Sequence, residues 1–380
     1  MSLAGIRVAA IFGSTSPEHE ISIITACQAM PVLRELGATV SPIYITKQGR
    51  WLTDPSFGEL TTFRRELPQG GSPVSLELAS GTFHAGSGSR FSRPRELPVD
   101  VIFPLTHGGM GEDGVLAALA GLARIPVVGC GHLAGALAMD KFRSKQLLAS
   151  MGLPVVPAQL VRSAGEAVAC ASEVGFPLVV KPNRSGSSIG VGLVAAADEV
   201  AAAAELAFTF DSEVLLEPAV DRADDLNCAV RSTGVPRASE VERPLKGAGV
   251  LSYADKYAPS GRLAPKGKTG AGKGDPRRQL PADIPAALRG EIQLLAVQAF
   301  DALGCRGTAR VDFLISGDGV LHLNEVNTIP GSLAFYLWEA SGVTFPALLE
   351  QLVREALTAG PSRQTALAGN LLAAEGLLGK

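Results

Sequence analysis

The chain has 380 residues, of which 46% are hydrophobic, 19% charged and 5% aromatic, with a formal net charge of −3. That length exceeds one domain of about 100–200 residues, so two or three folded units with a sizeable core are expected. The weak negative balance and scarce aromatics give no reason to expect a nucleic-acid partner, and no uncharged apolar run reaches the roughly 18 residues of a membrane span.

Cys27, Cys130, Cys170, Cys228 and Cys305 are scattered, with no C-x-x-C. This pattern predicts neither a zinc site nor a disulfide framework, but small buried residues in a reducing compartment. Residues 1–12 lack the layout of a signal peptide, and a cytoplasmic location is expected.

In chain order, residues 6–12 form an apolar run of strand length ending at Gly13-Ser14-Thr15-Ser16, and 21–36 carry helical periodicity. Residues 40–45 and 99–105 read as strands, 114–123 as a helix and 126–129 as a further strand. Strands alternating with helices define an α/β fold class with a parallel sheet covered on both faces. This first unit is placed at residues 1–130, with the Gly-, Pro- and Ser-rich 47–98 as an excursion at its edge. A helix over 133–150, followed by short strands and one or two helices, makes a middle unit at 131–217. The third unit, 218–357, holds antiparallel strands at 225–231 and 238–244 and a helix over 281–303 stopped at Gly304. It ends in two acid-bearing strands and a closing helix over 345–357. Its Gly/Lys/Pro stretch, 246–278, has too little apolar content to fold alone and the length of a lid. Residues 358–380 form a tail.

The acid-bearing strands are the most informative segment. In Arg310-Val311-Asp312-Phe313-Leu314, alternation sends Val311 and Phe313 one way, and Arg310 and Asp312 the other. In Leu321-His322-Leu323-Asn324-Glu325-Val326-Asn327, the residues Leu321, Leu323, Glu325 and Asn327 share a parity. Either a bulge breaks the pattern, or the acids lie where the strand emerges. Asp312, Glu325 and Asn327 converging beside Arg310 suit a hard cation such as Mg2+, which also coordinates substrate phosphates. A pair of surface strands joined by a salt bridge fits the same residues.

A second segment, Lys181-Pro182-Asn183-Arg184-Ser185-Gly186-Ser187-Ser188-Ile189-Gly190, joins two apolar strands. It reads as a flap whose N–H groups and hydroxyls meet a phosphate, with Lys181 adding charge; a simple flexible hairpin is the alternative. Gly109-Met110-Gly111-Glu112-Asp113-Gly114 fits a dinucleotide fingerprint, yet Glu112 and Asp113 would stand where a pyrophosphate should lie. Gly267-Lys268-Thr269-Gly270-Ala271-Gly272-Lys273-Gly274 approaches a phosphate loop, but Gly274 replaces the required hydroxyl and no strand precedes it.

Taken together, these motifs resemble the ATP-grasp superfamily and, within it, the D-alanine–D-alanine ligase family. The likeness runs from residue 5 to about 357. It rests on S-P-E-H-E-I-S at 16–22, H-G-G-M-G-E-D-G at 107–114, M-D-K at 139–141 and V-K-P-N-R-S-G-S-S-I-G-V at 180–191. It continues with Y-A-D-K-Y at 253–257, G-x-A-R-V-D at 307–312 and N-E-V-N-T-I-P-G at 324–331.

The resemblance implies a three-part ATP-grasp architecture, an N-terminal α/β unit plus two α+β units clasping ATP, and ligation of two D-alanines through an acyl phosphate for peptidoglycan synthesis. By the family's pattern Lys141, Lys181 and Ser188 contact the phosphates, Glu217 and Val220 line the adenine slot, Asp225 takes the ribose, and Lys256 reaches the γ-phosphate. Asp312, Glu325 and Asn327 hold two Mg2+ ions, with Mn2+ able to substitute. Glu18 receives the first ammonium, and Glu18, Ser187 and Tyr257 link lid, flap and N-terminal unit. His107, Gly331 and Ser332 lie at the substrates, Arg310 beside the tetrahedral centre, and the enzyme is a homodimer.

Four departures bear on this likeness, one of them a lid longer and richer in glycine than the family pattern. Ser14 stands where a second Gly is usual. The insertion Asp221-Arg222-Ala223-Asp224 leaves the ribose position open between Asp224 and Asp225. After Pro330 the later Ser-Leu pair that meets the acceptor is absent, so that Ser332-Leu333 takes its role or the acceptor is D-lactate, D-serine or another amine.

Overall fold

The computed structural model describes residues 2–64, 66–86, 94–232, 234–245 and 278–361. Three sheets organise them. The first is seven-stranded, in the order β6-β5-β4-β3-β2-β1-β7. Its strands are β1 (Arg7–Gly13), β2 (Thr39–Ile45), β3 (Trp51–Thr53), β4 (Ser72–Glu77), β5 (Thr82–Ala85), β6 (Arg95–Leu97) and β7 (Val101–Pro104). Only β1, β2 and β7 run parallel; β3 to β6 add antiparallel ribbons. The excursion at 47–98 therefore extends the sheet, its alternating exposure in β4 matching a one-sided ribbon. The strand expected at 126–129 is reduced to one bridge, Ile102 with Val127.

The second sheet, β10-β9-β11-β8, comprises β8 (Gln159–Val161), β9 (Leu178–Pro182), β10 (Gly192–Val194) and β11 (Val214–Pro218). Helices α5 (Ala164–Val174) and α6 (Val200–Phe208) bury their small and branched residues against it. The third, β14-β13-β12-β15-β16, comprises β12 (Asp224–Arg231), β13 (Arg237–Pro244), β14 (Arg278–Gln279), β15 (Thr308–Ile315) and β16 (Leu321–Asn327).

Helix α1 (His19–Glu35) follows β1, and α2 (Val115–Leu122) follows β7. The single helix expected over 133–150 is two, α3 (His132–Met139) and α4 (Lys141–Ser150). The break falls at Asp140, which leaves helical geometry (φ −83°, ψ 94°) and caps α4 by accepting the Arg143 N–H at 2.9 Å. Helix α7 (Ala286–Ala302) starts only after Pro285, because Pro281 and Pro285 cannot donate within a helix interior.

Cores do not follow the order of the chain. Ala134 and Ala138 of α3 and Leu148 of α4 pack with Leu226, Phe300 and Phe313 under the third sheet. Two last helices, α8 (Phe335–Ala340) and α9 (Phe345–Ala359), return to the first sheet, placing Trp338, Leu348 and Leu352 with Phe12 and Met30. This interleaving fixes the segments that lead into the site from three sheets.

Candidate active site

On β15 and β16, Asp312 lies opposite Glu325 and Arg310 opposite Asn327. The register shifts after Asp312, since Phe313 faces Leu323, which leaves Asn324 as the extra residue of a bulge. Parity flips there: Leu321, Leu323 and Val326 are buried, while Glu325 and Asn327 turn to the open face. Of the two sequence alternatives, the bulge is the one realised. Asp312 accepts from Arg310 Nε at 2.6 Å and Nη2 at 2.7 Å, and from Asn327 Nδ2 at 3.0 Å.

Lysines arrive from the other side. Lys141, at the first turn of α4, places Nζ 3.4 Å from Glu325 Oε2 and donates to the Ser185 carbonyl at 2.6 Å. Lys181, at the end of β9, lies 2.8 Å from Glu217 Oε2 and 3.4 Å from Asn324 Oδ1. Lys145 completes a buried triad, 3.0 Å from Glu217 Oε1. Burial drives the Lys145 ammonium down to about 8 despite Glu217. Burial works to raise Glu217, but the Lys181 and Lys145 ammonium groups hold it below its ordinary value. Two lysines at one carboxylate leave surplus positive charge suited to a polyphosphate.

At the far end, Glu18 precedes α1 and its carboxylate accepts from the Ser187 hydroxyl on the β9–β10 loop. The close approach needs glycine on both sides: a Cβ on Gly108 or Gly186 would come within 2.7 Å and 2.6 Å of Glu18 Oε2. Glu112 accepts the Gly108 N–H at 2.7 Å, and burial followed by the neighbouring Glu18 charge raises it to about 8. Ser187 and Ser188 both adopt positive φ, 53° and 58°, so that successive residues turn the loop sharply over the site. Ser14 holds φ 114° at the position where glycine is usual, its hydroxyl accepting the Ser16 N–H at 3.2 Å.

His107 is buried, and desolvation lowers it to about 4, so it is neutral near pH 7. Its Nε2 stands 2.7 Å from Thr25 Oγ1, which also accepts the Ser332 N–H at 3.0 Å. The Ile329 backbone bonds both His107 and Glu112. Ser332, Leu333 and Ala334 all take positive φ, a tight turn that aims the Ser332 amide at α1.

A cavity of about 450 Å³ joins these groups. Glu18, His107, Glu112 and Ser187 line it together with Arg310, Asp312, Glu325 and Asn327, and Gly331 and Ser332. Asp225 also lines it, and Asp224 pairs with Arg243 at 2.9 Å. Val220 lies two residues beyond β11 and is half-buried. Lys256, Tyr257, the phosphate-loop lookalike at 267–274 and most of the expected lid lie outside the described residues.

Sequence reasoning missed Lys145, Thr25 and a group on the third sheet. There Glu242 binds Arg278 at 3.0 Å, Asn227 at 3.3 Å and the Tyr336 hydroxyl at 3.0 Å, with the Arg278 guanidinium 4.1 Å above the Tyr336 ring. Each reads alone as an ordinary strand or surface residue; only the fold brings them to one cavity wall.

The oxygen set on β15 and β16 is two carboxylates and one amide. Among the described residues, no cluster of three or more His, Cys, Asp or Glu side chains forms a metal site. These hard donors nonetheless suit a divalent cation, and Arg310 and Lys141 already bring positive charge to them.

Lysines of α4 and β9 meet the acid-bearing strand pair beside a cavity that holds a buried carboxylate, an arrangement that suits an ATP-dependent ligase of the ATP-grasp type. Family comparison agrees: the chain matches the D-ala D-ala ligase N-terminus over residues 7–130 and the D-ala D-ala ligase C-terminus over 147–354. It therefore belongs to the D-alanine–D-alanine ligase family. Similar proteins include D-alanine–D-alanine ligases of Mycobacterium bovis, 38% identical over 93% of this chain and 96% of that one, and of Thermosipho africanus, 34% identical over 93% and 94%. Among solved structures, a D-Ala:D-Ser ligase from Enterococcus faecalis is 30% identical with a TM-score of 0.76, covering 92% of this chain and 99% of that one. The D-alanine–D-alanine ligase of Coxiella burnetii is 27% identical with a TM-score of 0.75, covering 93% and 94%.

Proposed function

We propose that the chain joins two D-alanines into D-alanyl-D-alanine at the expense of ATP, for peptidoglycan synthesis in the cytoplasm. The observation that carries the reading is one cavity lined both by Glu18 and by the Asp312, Glu325, Asn327 face.

ATP would lie between the second and third sheets, its phosphates against Lys141, Lys181 and the Ser187-Ser188 turn, its ribose at Asp225, its base near Glu217 and Val220. Asp312, Glu325 and Asn327 would hold Mg2+, two ions by the family pattern with Mn2+ as substitute. Such ions neutralise charge spreading over the transferring phosphoryl group. Glu18 receives the ammonium of the first D-alanine, which aims its carboxylate along the cavity. One carboxylate oxygen bonds to the γ-phosphorus, the bond to the β-γ bridging oxygen breaks and ADP leaves. The deprotonated amine of the second D-alanine attacks the acyl carbon, and inorganic phosphate departs. Arg310, with the N–H groups near Gly331, offsets the oxyanion in that step. His107, neutral, contributes hydrogen bonding rather than charge. Lys256 and Tyr257 would close the lid over the acyl phosphate and exclude water.

By sequence the chemistry is assigned to three units, 1–130, 131–217 and 218–357 with the lid at 246–278, and a tail at 358–380, although α3 and α4 pack under the third sheet and α8 and α9 against the first. A homodimer fits the apolar face of α2, where Val115 and Leu122 are 50% and 67% exposed. No helix among the described residues is long and apolar enough to cross a membrane.

Coupled detection of ADP with D-alanine alone, and with D-alanine plus D-serine or D-lactate, tests the reading. D-alanine alone should support release, with the dipeptide seen by mass spectrometry. ADP release only when D-serine or D-lactate is added would instead support the alternative acceptors.

A further inference from the structure

We propose that Cys130 and Cys305 form a reversible, peroxide-driven disulfide that ties the segment entering α3 to the segment entering β15. Far apart in sequence, these residues come to one core cluster in the fold. Cys130 packs against the core cluster containing Cys305, and its Sγ lies 3.4 Å from the carbonyl oxygen of Arg306, the next residue after Cys305. The two backbones are in close contact, because a Cβ on Gly307 would fall 2.6 Å from Gly129 Cα.

Their environments divide the labour of a redox pair. Cys130 is partly exposed, whereas Cys305 is buried. The neighbouring Cys305 thiol holds the Cys130 thiol below its ordinary value against the pull of burial, with Arg306 assisting and Glu355 opposing. Low-pKa, accessible thiols beside a resolving thiol are the ones that peroxide selects. By contrast, burial pushes Cys27 and Cys228 up to about 12, which removes them as competitors.

The step balances with a small peroxide as oxidant. Cys130 thiolate attacks one peroxide oxygen, the S–O bond forms, the O–O bond breaks, and the departing hydroxide takes a proton to leave as water. Cys305 sulfur then attacks Cys130 Sγ; the S–S bond forms, the S–O bond breaks, and the Cys305 proton leaves with the hydroxyl as a second water. Two electrons pass from the thiols to the peroxide. A bond there closes a long loop between residues 130 and 305, so it restrains the unfolded chain strongly.

The test treats the full-length enzyme with hydrogen peroxide and maps peptides without reduction. A Cys130–Cys305 linked peptide is expected, with a mass loss of about 2 Da on the intact chain for two hydrogens removed, a Tm raised by about 5 °C, and reversal of all three by dithiothreitol. In Cys305→Ser the link is lost and Cys130 accumulates as a dimedone-trapped sulfenic acid; in Cys130→Ser neither product forms. Free Cys130 and Cys305 in peroxide-treated wild-type protein, or a link through Cys27, Cys170 or Cys228 instead, would overturn the proposal even if both variants misfold.

Discussion

The Ser187 hydroxyl on the β9–β10 loop donates to the Glu18 carboxylate at the head of α1, 169 positions earlier in the chain. The contact fastens the second sheet's loop to the first sheet's substrate end, so a side chain proposed to bind an ammonium also holds the flap. Ser187→Ala removes a hydrogen bond to a charged group, worth about 1.5–3 kcal/mol. The expected result is a fall in kcat/KM for D-alanine of about 10–100-fold, with circular dichroism unchanged. Steady-state ADP release decides it, and an unaltered kcat/KM would remove the contact from the mechanism.

Glu325 faces Asp312 across the ladder and pairs with Lys141. Glu325→Gln keeps the shape but lowers the negative charge offered to a divalent ion. Phosphate release should drop on the order of a hundredfold or more, and the Mg2+ concentration for half-maximal rate should rise. Near-normal turnover at ordinary Mg2+ would refute the metal role.

The contrast between these acids and their neighbours shows what was legible in the sequence. Asp312 and Glu325 stood out because strand alternation fixes which side chains share a face, and the parity conflict in Leu321, Leu323, Glu325 and Asn327 left a bulge or an emerging strand end, of which the bulge at Asn324 is the one seen. Asp140 was harder to read: its cap splits one apolar periodic run into α3 and α4. Thr25, Glu242 and the Cys130–Cys305 pair carried no local signal. Thr25 meets Ser332 across 307 positions, and no spacing rule spans that distance. Lys145 reads as a surface lysine until the fold buries it against Glu217.

Glu112 gives a pH test. Its carboxyl is raised from 4.5 to about 8, first by burial and then by Glu18. The folded state therefore holds a proton that the unfolded chain releases near its ordinary value. The resulting stability is fully present below about pH 4.5 and is lost as pH rises through about 8. Glu112→Gln removes that dependence. Wild-type Tm minus variant Tm should decline steadily from pH 5 to pH 8 in thermal melts; a difference that is flat or rises would contradict the buried, proton-holding carboxyl.

Thr25 is the residue through which α1 reaches the turn that carries Ser332. Its hydroxyl oxygen accepts the Ser332 N–H and lies 2.7 Å from His107 Nε2. With His107 neutral at pH 7, the hydroxyl proton has Nε2 as its acceptor, so one side chain satisfies both neighbours. Thr25→Val is nearly the same shape and supplies neither interaction, leaving a buried amide and a ring nitrogen without this partner at a cost of about 1–3 kcal/mol. Because the loss falls on the turn that carries Ser332, KM for D-alanine should rise about tenfold, while kcat stays within about threefold. Thr25→Ser keeps the hydroxyl and should restore KM. A purely structural role would instead lower Tm in Thr25→Val without moving KM, and equal KM values in wild type and Thr25→Val would exclude Thr25 from positioning the substrate.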